Sequence, residues 1–539
     1  MSVTDCIVVG SGATGSIAAH SLISSGLSVL MLDGGQRDDT YQGLIPEQSF
    51  VELRRSDREQ RDYFLGREFE SLRTHAGESY AHLTPPRRSI IAEVGRFLPT
   101  RSDTFAPVES LALGGLGSGW GLGCNVFSEA ELQRASLPIA EMRQAYQNIS
   151  DLIGISGSAD DAASYTHGGL ERIQPSIPAD PTIEALLARY SRRKPQIHAG
   201  GFRLGRPALA LLTEKKDGRC ATTLRDMDFY SDAERAAWRP WILVEELMRD
   251  RRFTYEGNVL VTRFTERDGF IEVSTLDIRG LGERTHRCRR LVLAAGVFGS
   301  ARIVLRSRDD ADTKLPLLCN PYTYMPCVVP SRVGRPMLDR NTGLAQLVLL
   351  HDPDSDHGDI AQASLYTYRS LLLFRLLREL PINARDARQL LQFAVSGLLI
   401  AGIHHPQGYS NTTYLRREPD AVSPTGDRLA IISETTAHET ERIEIRERLF
   451  MRALRQLGAY PVKRVHPPNG ASIHYAGTLP FADTGAPYTL SPSGRLSTFQ
   501  NVYVADGSGF TFLPAKGLTL SLMANAYRVA KAVAAEARA

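Results

Sequence analysis

The sequence predicts an α/β protein: a Rossmann-type dinucleotide-binding domain joined to a second, α+β domain built on an antiparallel sheet. Three observations carry this reading. Near the start, the apolar strand Asp5-Cys6-Ile7-Val8-Val9 runs straight into Gly10-Ser11-Gly12-Ala13-Thr14-Gly15. A second strand, Leu27 to Leu32, then delivers Asp33. Close to the other end, Asn501-Val502-Tyr503-Val504-Ala505-Asp506-Gly507-Ser508-Gly509 reads as another strand ending in an Asp-Gly turn. The two ends make sense as partners in one nucleotide site.

Each element follows in order. Between Gly15 and Leu27 the chain reads as a helix, apolar on one face (Ile17, Ala18, Leu22, Ile23) and stopped by Gly26. Residues 35–105 are polar, Arg-rich and poorly periodic, so irregular chain with short helices is expected. A glycine-rich segment follows at 114–123, and 129–150 has the spacing of an amphipathic helix. Strands are expected at 252–264 and 270–278, spaced like a meander. Arg290-Leu291-Val292-Leu293-Ala294-Ala295-Gly296 is a buried strand entering a turn, and Ser300 to Leu305 opens a helix. From about 311 to 464 this alternation disappears, which marks a separate domain. Within it, 441–457 is an amphipathic helix (Leu449, Phe450, Ala453, Leu454, Leu457) stopped by Gly458, and the tail from Leu518 is helical. The expected division is a discontinuous nucleotide domain of 1–155, 220–310 and 465–539, with a substrate domain of 156–219 and 311–464.

Composition narrows the function class. The 539 residues are 42% hydrophobic and 23% charged, ordinary for a soluble globular protein able to bury two cores. A net charge of +3 is too small for this length to imply nucleic acid or an acidic membrane as partner. The six cysteines (Cys6, Cys124, Cys220, Cys288, Cys319, Cys327) contain no C-x-x-C pair, which argues against a metal site or disulfide framework and for a reducing compartment. With the first strand starting at Asp5 and no cleavable apolar run, a cytoplasmic location is expected. The longest apolar stretch, Leu390 to Ile403, falls short of the ~20 residues a spanning helix needs.

In the first turn each glycine has a physical task. Gly10 makes the tight turn, Gly12 admits a pyrophosphate to the backbone, and Gly15 lets helix and strand pack closely. The helix N-terminus offers free N–H groups and a positive dipole end to phosphate. Asp33 stands where a ribose diol would donate to it. On this evidence FAD and NAD both remain open.

Four further segments point to a family. Leu113-Gly114-Gly115-Leu116-Gly117-Ser118-Gly119-Trp120-Gly121 resembles the glycine loop along the flavin in the glucose–methanol–choline oxidoreductases. Val292 to Leu305 is similar to that family's second signature, with Ala301 where proline is usual, and Ser472-Ile473-His474-Tyr475-Ala476-Gly477-Thr478 looks like its histidine motif. Asn501 to Gly509, followed by Leu518-Thr519-Leu520-Ser521-Leu522-Met523-Ala524, resembles its C-terminal end. The middle of the chain, 311–464, carries almost none of the likeness.

The resemblance implies FAD as cofactor, in a glutathione-reductase-like domain. It places cofactor contacts at Gly10, Gly12, Ala13, Thr14, Gly15 and Asp33; at Gly115, Gly117, Ser118, Trp120 and Gly121; at Val259, Ala295 and Gly296; and at Asp506, Gly507, Leu518 and Thr519. It implies oxidation of a small-molecule primary or secondary alcohol, with a sugar or polar cyclic alcohol preferred. A base takes the hydroxyl proton while hydride passes to flavin N5. The electron acceptor, whether oxygen, a quinone or a redox protein, stays open.

His474 is carried over from the motif as general base, a task imidazole suits because its ordinary pKa lies near working pH. The family normally places a second polar residue just before the C-terminal Leu-Thr stretch. Here that position is Gly517, with Lys516 beside it. Three readings stand: Lys516 supplies the missing group as donor or base, an ordered water does, or the chain performs an atypical, non-redox reaction on the same fold.

Two features of the middle remain. His404 and His405 are neighbours on an expected strand, so they point to opposite faces and one alone can meet a substrate cavity. Within residues 365–403, Leu371-Leu372-Leu373-Phe374 and Leu376-Leu377 are apolar nearly all round a helix carrying Arg369, Arg375 and Arg378, and a second apolar helix is expected from about Leu390. A buried helix pair is the plain reading, and a dimer or membrane contact the sharper one.

Overall fold

A computed structural model describes residues 3–48, 50–69, 85–225, 233–336, 343–367 and 382–538. Two sheets organise it. The first is a parallel sheet of strands Phe253–Glu256, Val29–Leu32, Thr4–Val9, Glu283–Leu293 and Val502–Val504, in that order. Its residues are mostly apolar on both faces, as a parallel sheet covered on both sides requires. The Glu283–Leu293 strand does double service. Its first half pairs antiparallel with Phe270–Asp277, which pairs in turn with Val259–Arg267, while its second half lies in the parallel sheet. Both ends of the chain therefore meet in one layer, which the helix Thr519–Glu536 covers by packing on Ala13–Ser24 and Ile139–Ile153.

The second sheet has six antiparallel strands in the order Tyr460–Pro461, Tyr322–Val328, Leu398–His404, Ala361–Thr367, Leu347–His351 and Phe202–Gly205. Period-two alternation sorts its residues. Met325, Cys327, Ala361, Ala363, Leu365, Leu399, Ala401 and Ile403 join a core with Phe450 and Leu454 of helix Ala437–Gln456 and Ile183 and Leu186 of helix Pro181–Ala199. Tyr322, Tyr324, Gln362, Ser364, Tyr366 and His404 point the other way, into a cavity between the sheets.

One expected element is different. The helix near Leu390 is Ala384–Ala394, and the chain beyond it to His404 is a strand rather than helix. The Leu398–His404 segment is apolar enough for either state. Strands on both of its sides satisfy its backbone, and tertiary pairing decides. The Leu371–Leu377 helix expected from the sequence lies outside the described residues. Among the described residues no helix is long and apolar enough to cross a membrane.

Candidate active site

Strand register builds the first half of the site. Val9 lies opposite both Leu32 and Leu293, and Leu293 opposite Val504. The residues that follow each strand, Gly10, Asp33, Ala294 and Ala505, thus emerge along one edge, the carboxyl edge where parallel sheets bind ligands. There a cavity of about 990 Å³ opens toward the second sheet. That is at the upper end of the ~300–1,000 Å³ usual for ligand sites.

Three helices begin on this cavity: Ala13–Ser24, Gly296–Ser307 and Thr519–Glu536. None has a side-chain cap at its N-terminus, and none has an acid in its first turn. Their free N–H groups and positive dipole ends converge on one space, which suits an anion such as a pyrophosphate. The glycines fit the same purpose. A Cβ on Gly15 would lie 1.9 Å from the Gly10 carbonyl oxygen, and one on Gly10, whose φ is +97°, would lie 2.7 Å from that of Ala294. At Gly12 the nearest atom would be 3.9 Å away, leaving room for a ligand.

Polar bonds lock the turns together. The Asp33 carboxylate accepts from Ser11 N–H (3.0 Å), Ser11 Oγ (2.6 Å) and Tyr255 OH (3.0 Å), and Ser11 Oγ accepts from Gly114 N–H (2.8 Å). This ties the second glycine loop to the first. Burial pushes the Asp33 pKa up against these bonds. Asp506 accepts from Ser300 and Ser508, joining the C-terminal strand to the Gly296–Ser307 helix.

At the far end of the cavity stands His474. Its Nδ1 lies 3.1 Å from Asn320 Oδ1. The orientation of that amide is settled by its other side: Asn320 Nδ2 donates to the carbonyls of His405 (2.8 Å) and Leu513 (3.2 Å). Oδ1 must therefore face the imidazole, so Nδ1 carries the hydrogen and Nε2 keeps its lone pair. Burial lowers the His474 pKa to about 4, so the ring is neutral near pH 7. The preceding residue, Ile473, is held at φ +58°, a conformation strained for a β-branched side chain. Such strain concentrates at functional sites. The His404 ring stacks on that of His474, 4.7 Å between centroids and 16° between planes. Burial, then the neighbouring His474 and His405, hold His404 well below the usual range.

Of the residues assigned to the cofactor from the sequence, all line this cavity except Gly15, whose place is in the helix–turn packing, and Ser118, whose hydroxyl donates to the Leu113 carbonyl. Trp120 lines it with its N–H donated to the Trp238 carbonyl at 3.0 Å. Lys516 requires correction. Its ammonium is buried and paired with Glu131 at 2.7 Å, away from the cavity, because a buried charge holds its counter-ion rather than a substrate. Gly517 does line the cavity, but a Cβ there would meet Gly123 O at 2.7 Å and Asn125 Nδ2 at 2.9 Å. No sequence motif marks Asn320, Gln362 or the tyrosines Tyr322, Tyr324 and Tyr366. The alternation Gln362–Ser364–Tyr366 was the one available signal.

No family model matches the sequence. The likeness is to individual proteins. The chain is 25% identical over 556 residues to the paromamine 6'-oxidase of Streptomyces fradiae, across 99% of this chain and 92% of that protein. The structure superposes on pyridoxine 4-oxidase from Mesorbium loti with a TM-score of 0.58 over 98% of both chains, at 14% identity. The chain shares the fold of pyridoxine 4-oxidase and, over almost its whole length, a likeness in sequence to paromamine 6'-oxidase. Its cavity divides between a glycine-lined cradle and the His474 end.

Proposed function

We propose that this chain is an FAD-dependent enzyme that oxidises one hydroxyl of a neutral, polyhydroxylated small molecule, a sugar or polar cyclic alcohol, to the carbonyl. The observation that carries the reading is His474: neutral, fixed by Asn320 as the Nδ1–H tautomer, and facing the cavity that the cradle opens into. Bound FAD would be held by the Gly10–Thr14 turn, the Gly115–Gly121 loop, and the starts of the Gly296 and Thr519 helices, and would supply the hydride acceptor.

The chain's own residues do the rest. His474 Nε2 takes the hydroxyl proton as the C–H hydrogen leaves with its electron pair, and the C–O single bond becomes the carbonyl. The Asn320 carbonyl accepts from Nδ1–H throughout and favours the imidazolium that forms. The second sheet walls the site with tyrosine rings and neutral polar groups. Among the described residues the cavity's carboxylates, Asp33, Glu109 and Asp506, lie on the cradle side, and its arginines are paired, Arg302 with Glu109 and Arg306 with Asp427. The substrate end offers hydroxyl, amide and imidazole groups rather than a counter-ion, which favours an uncharged polyol over a cation.

The test is anaerobic bleaching of flavin absorbance by a panel of sugars, cyclitols, paromamine, pyridoxine and simple alcohols, with His474→Ala in parallel. Bleaching by polyols, lost in the variant, is expected. Equal bleaching in the variant would refute the role of His474. Admitting air and measuring hydrogen peroxide would distinguish oxygen from other electron acceptors.

A further inference from the structure

Facing His474, the antiparallel sheet presents a polar row. Register sets Tyr322 and Gln362 on either side of His404, one residue from each of three adjacent strands. Alternation turns all three to the cavity. The Tyr322 ring packs on that of His404 at 4.6 Å, as His474 does at 4.7 Å. Among the described residues the ring nitrogens of His404 make no hydrogen bond. Gln362 is only 4% exposed, yet its Oε1 is buried without a partner. An amide oxygen left unmade in a protein interior is costly and asks for an explanation.

The C-terminal turn cannot provide the polar contacts instead. At Gly517 the Gly123 carbonyl and the Asn125 amide already fill the space a side chain would need. Besides the Asn125 amide on that side, the polar groups available to a hydroxyl beside His474 come from the sheet. Directly opposed residues on antiparallel strands are ~4.5–5.5 Å apart, a span that two neighbouring hydroxyls of one ring can bridge.

We propose that His404 and Gln362 form a two-point clamp for adjacent hydroxyls of the substrate. His404 holds the hydroxyl that His474 deprotonates, and the Gln362 amide, which lines the cavity, bonds the hydroxyl next to it. The clamp rests on the alcohol-oxidation reading and specifies its substrate: a compound bearing a neighbouring pair of hydroxyls. The stack against His474 fixes the imidazole's plane, and neutral His404 offers one donor and one acceptor nitrogen.

The experiment uses the flavin-loaded full chain and anaerobic stopped-flow reduction. It compares a diol substrate found by bleaching with its deoxy analogue lacking the neighbouring hydroxyl. Gln362→Leu is expected to shrink the preference for diol over deoxy compound roughly tenfold, the worth of one neutral hydrogen bond with its partner left buried. Gln362→Met, which keeps the chain length, repeats the test should the leucine variant fold poorly. His404→Phe, which keeps the stack, is expected to lower the limiting rate of flavin reduction, with partial rescue by His404→Gln. A Gln362 variant that loses diol and deoxy compound equally, or neither, overturns the clamp, as does an unchanged rate in His404→Phe. Should no alcohol bleach the wild-type flavin, the functional reading fails by itself. Calorimetric titration with inositol then decides the clamp, since binding heat indifferent to Gln362→Leu overturns it.

Discussion

Replacing Asn320 with aspartate should move the acid limit of catalysis, and the structure gives the size of the move. Burial holds His474 at about 4. A base must be unprotonated to act, so wild-type flavin reduction is expected to keep its rate as pH falls through 6.5, the ordinary histidine value, and to fail only near 4. In Asn320→Asp the group 3.1 Å from Nδ1 becomes a carboxylate, while the hydrogen stays on Nδ1. Taking the charge centres as about 5 Å apart and an effective dielectric of about 20, the attraction for the imidazolium is about 3 kcal/mol, or roughly 2 pKa units. The new carboxylate also loses the two bonds that Asn320 Nδ2 donates to His405 and Leu513 carbonyls, which subtracts from this. The acid limb is therefore expected to rise from about 4 into the range of roughly 5–6. The assay is the limiting rate of anaerobic flavin reduction from pH 4 to 8, with flavin content checked at each point. A wild-type limb already at 6.5, or one that does not move in Asn320→Asp, would refute the assignment of the buried neutral base and its tautomer.

Other consequences follow from the same geometry. Folded His474 titrates at about 4 and His405 at about 3, both lowered chiefly by burial, whereas unfolded histidine titrates near 6.5. Their contribution is fully present above pH 6.5 and is lost as pH falls, because only the unfolded chain takes up the protons; His474 alone accounts for about 3 kcal/mol by pH 4. Both ring nitrogens of His405 are unpartnered among the described residues, so urea titrations should show His405→Phe less acid-sensitive than wild type. Lys516→Met leaves the Glu131 carboxylate buried without its counter-ion and should cost about 3–5 kcal/mol in urea unfolding, with much of it recovered by adding Glu131→Gln. Gly15→Ala, with its Cβ 1.9 Å from a carbonyl, should abolish retention of flavin in the purified protein, read as the ratio of flavin to protein absorbance. Gly280→Ala, outside the cavity and with nothing within 4 Å, should retain it.

The cradle was legible because its signals are local. A strand, three glycines, a helix and an acid within the stretch Thr4–Asp33 each have one structural use, and register then brings them to one edge. The opposite wall was not. Tyr322, Gln362 and His404 meet only through the pairing of three strands separated in sequence, and nothing near any one of them encodes that pairing. Asn320 illustrates the limit: its role depends on three partners, His405, Leu513 and His474, that only the folded chain assembles. Lys516 shows the converse. Next to the position where a polar group was sought, it looked available, but Glu131, near the glycine loop, claims its charge.

The depressed basicity of His474 also constrains the order of bond changes. An alcohol hydroxyl gives up its proton about as reluctantly as water, whose pKa is ~15.7. Moving that proton fully to a base of about 4 is uphill by roughly 12 units, or about 16 kcal/mol. That equals the whole barrier of an enzyme turning over at about 10 per second, which also comes to about 16 kcal/mol. A free alkoxide formed before hydride departure would leave nothing for the second step. Proton removal that overlaps with hydride transfer avoids this cost, and the developing carbonyl rather than a full alkoxide then faces His474. The same conclusion makes the hydroxyl-holding role of His404 useful, since it lowers the charge the oxygen must carry. Deuterium on the reacting carbon and deuterium oxide as solvent should then slow the same step, and the substrate effect should persist undiminished in deuterium oxide. A substrate effect that shrinks when the solvent is exchanged would mean the proton leaves first, and the base must then be far stronger than its burial allows.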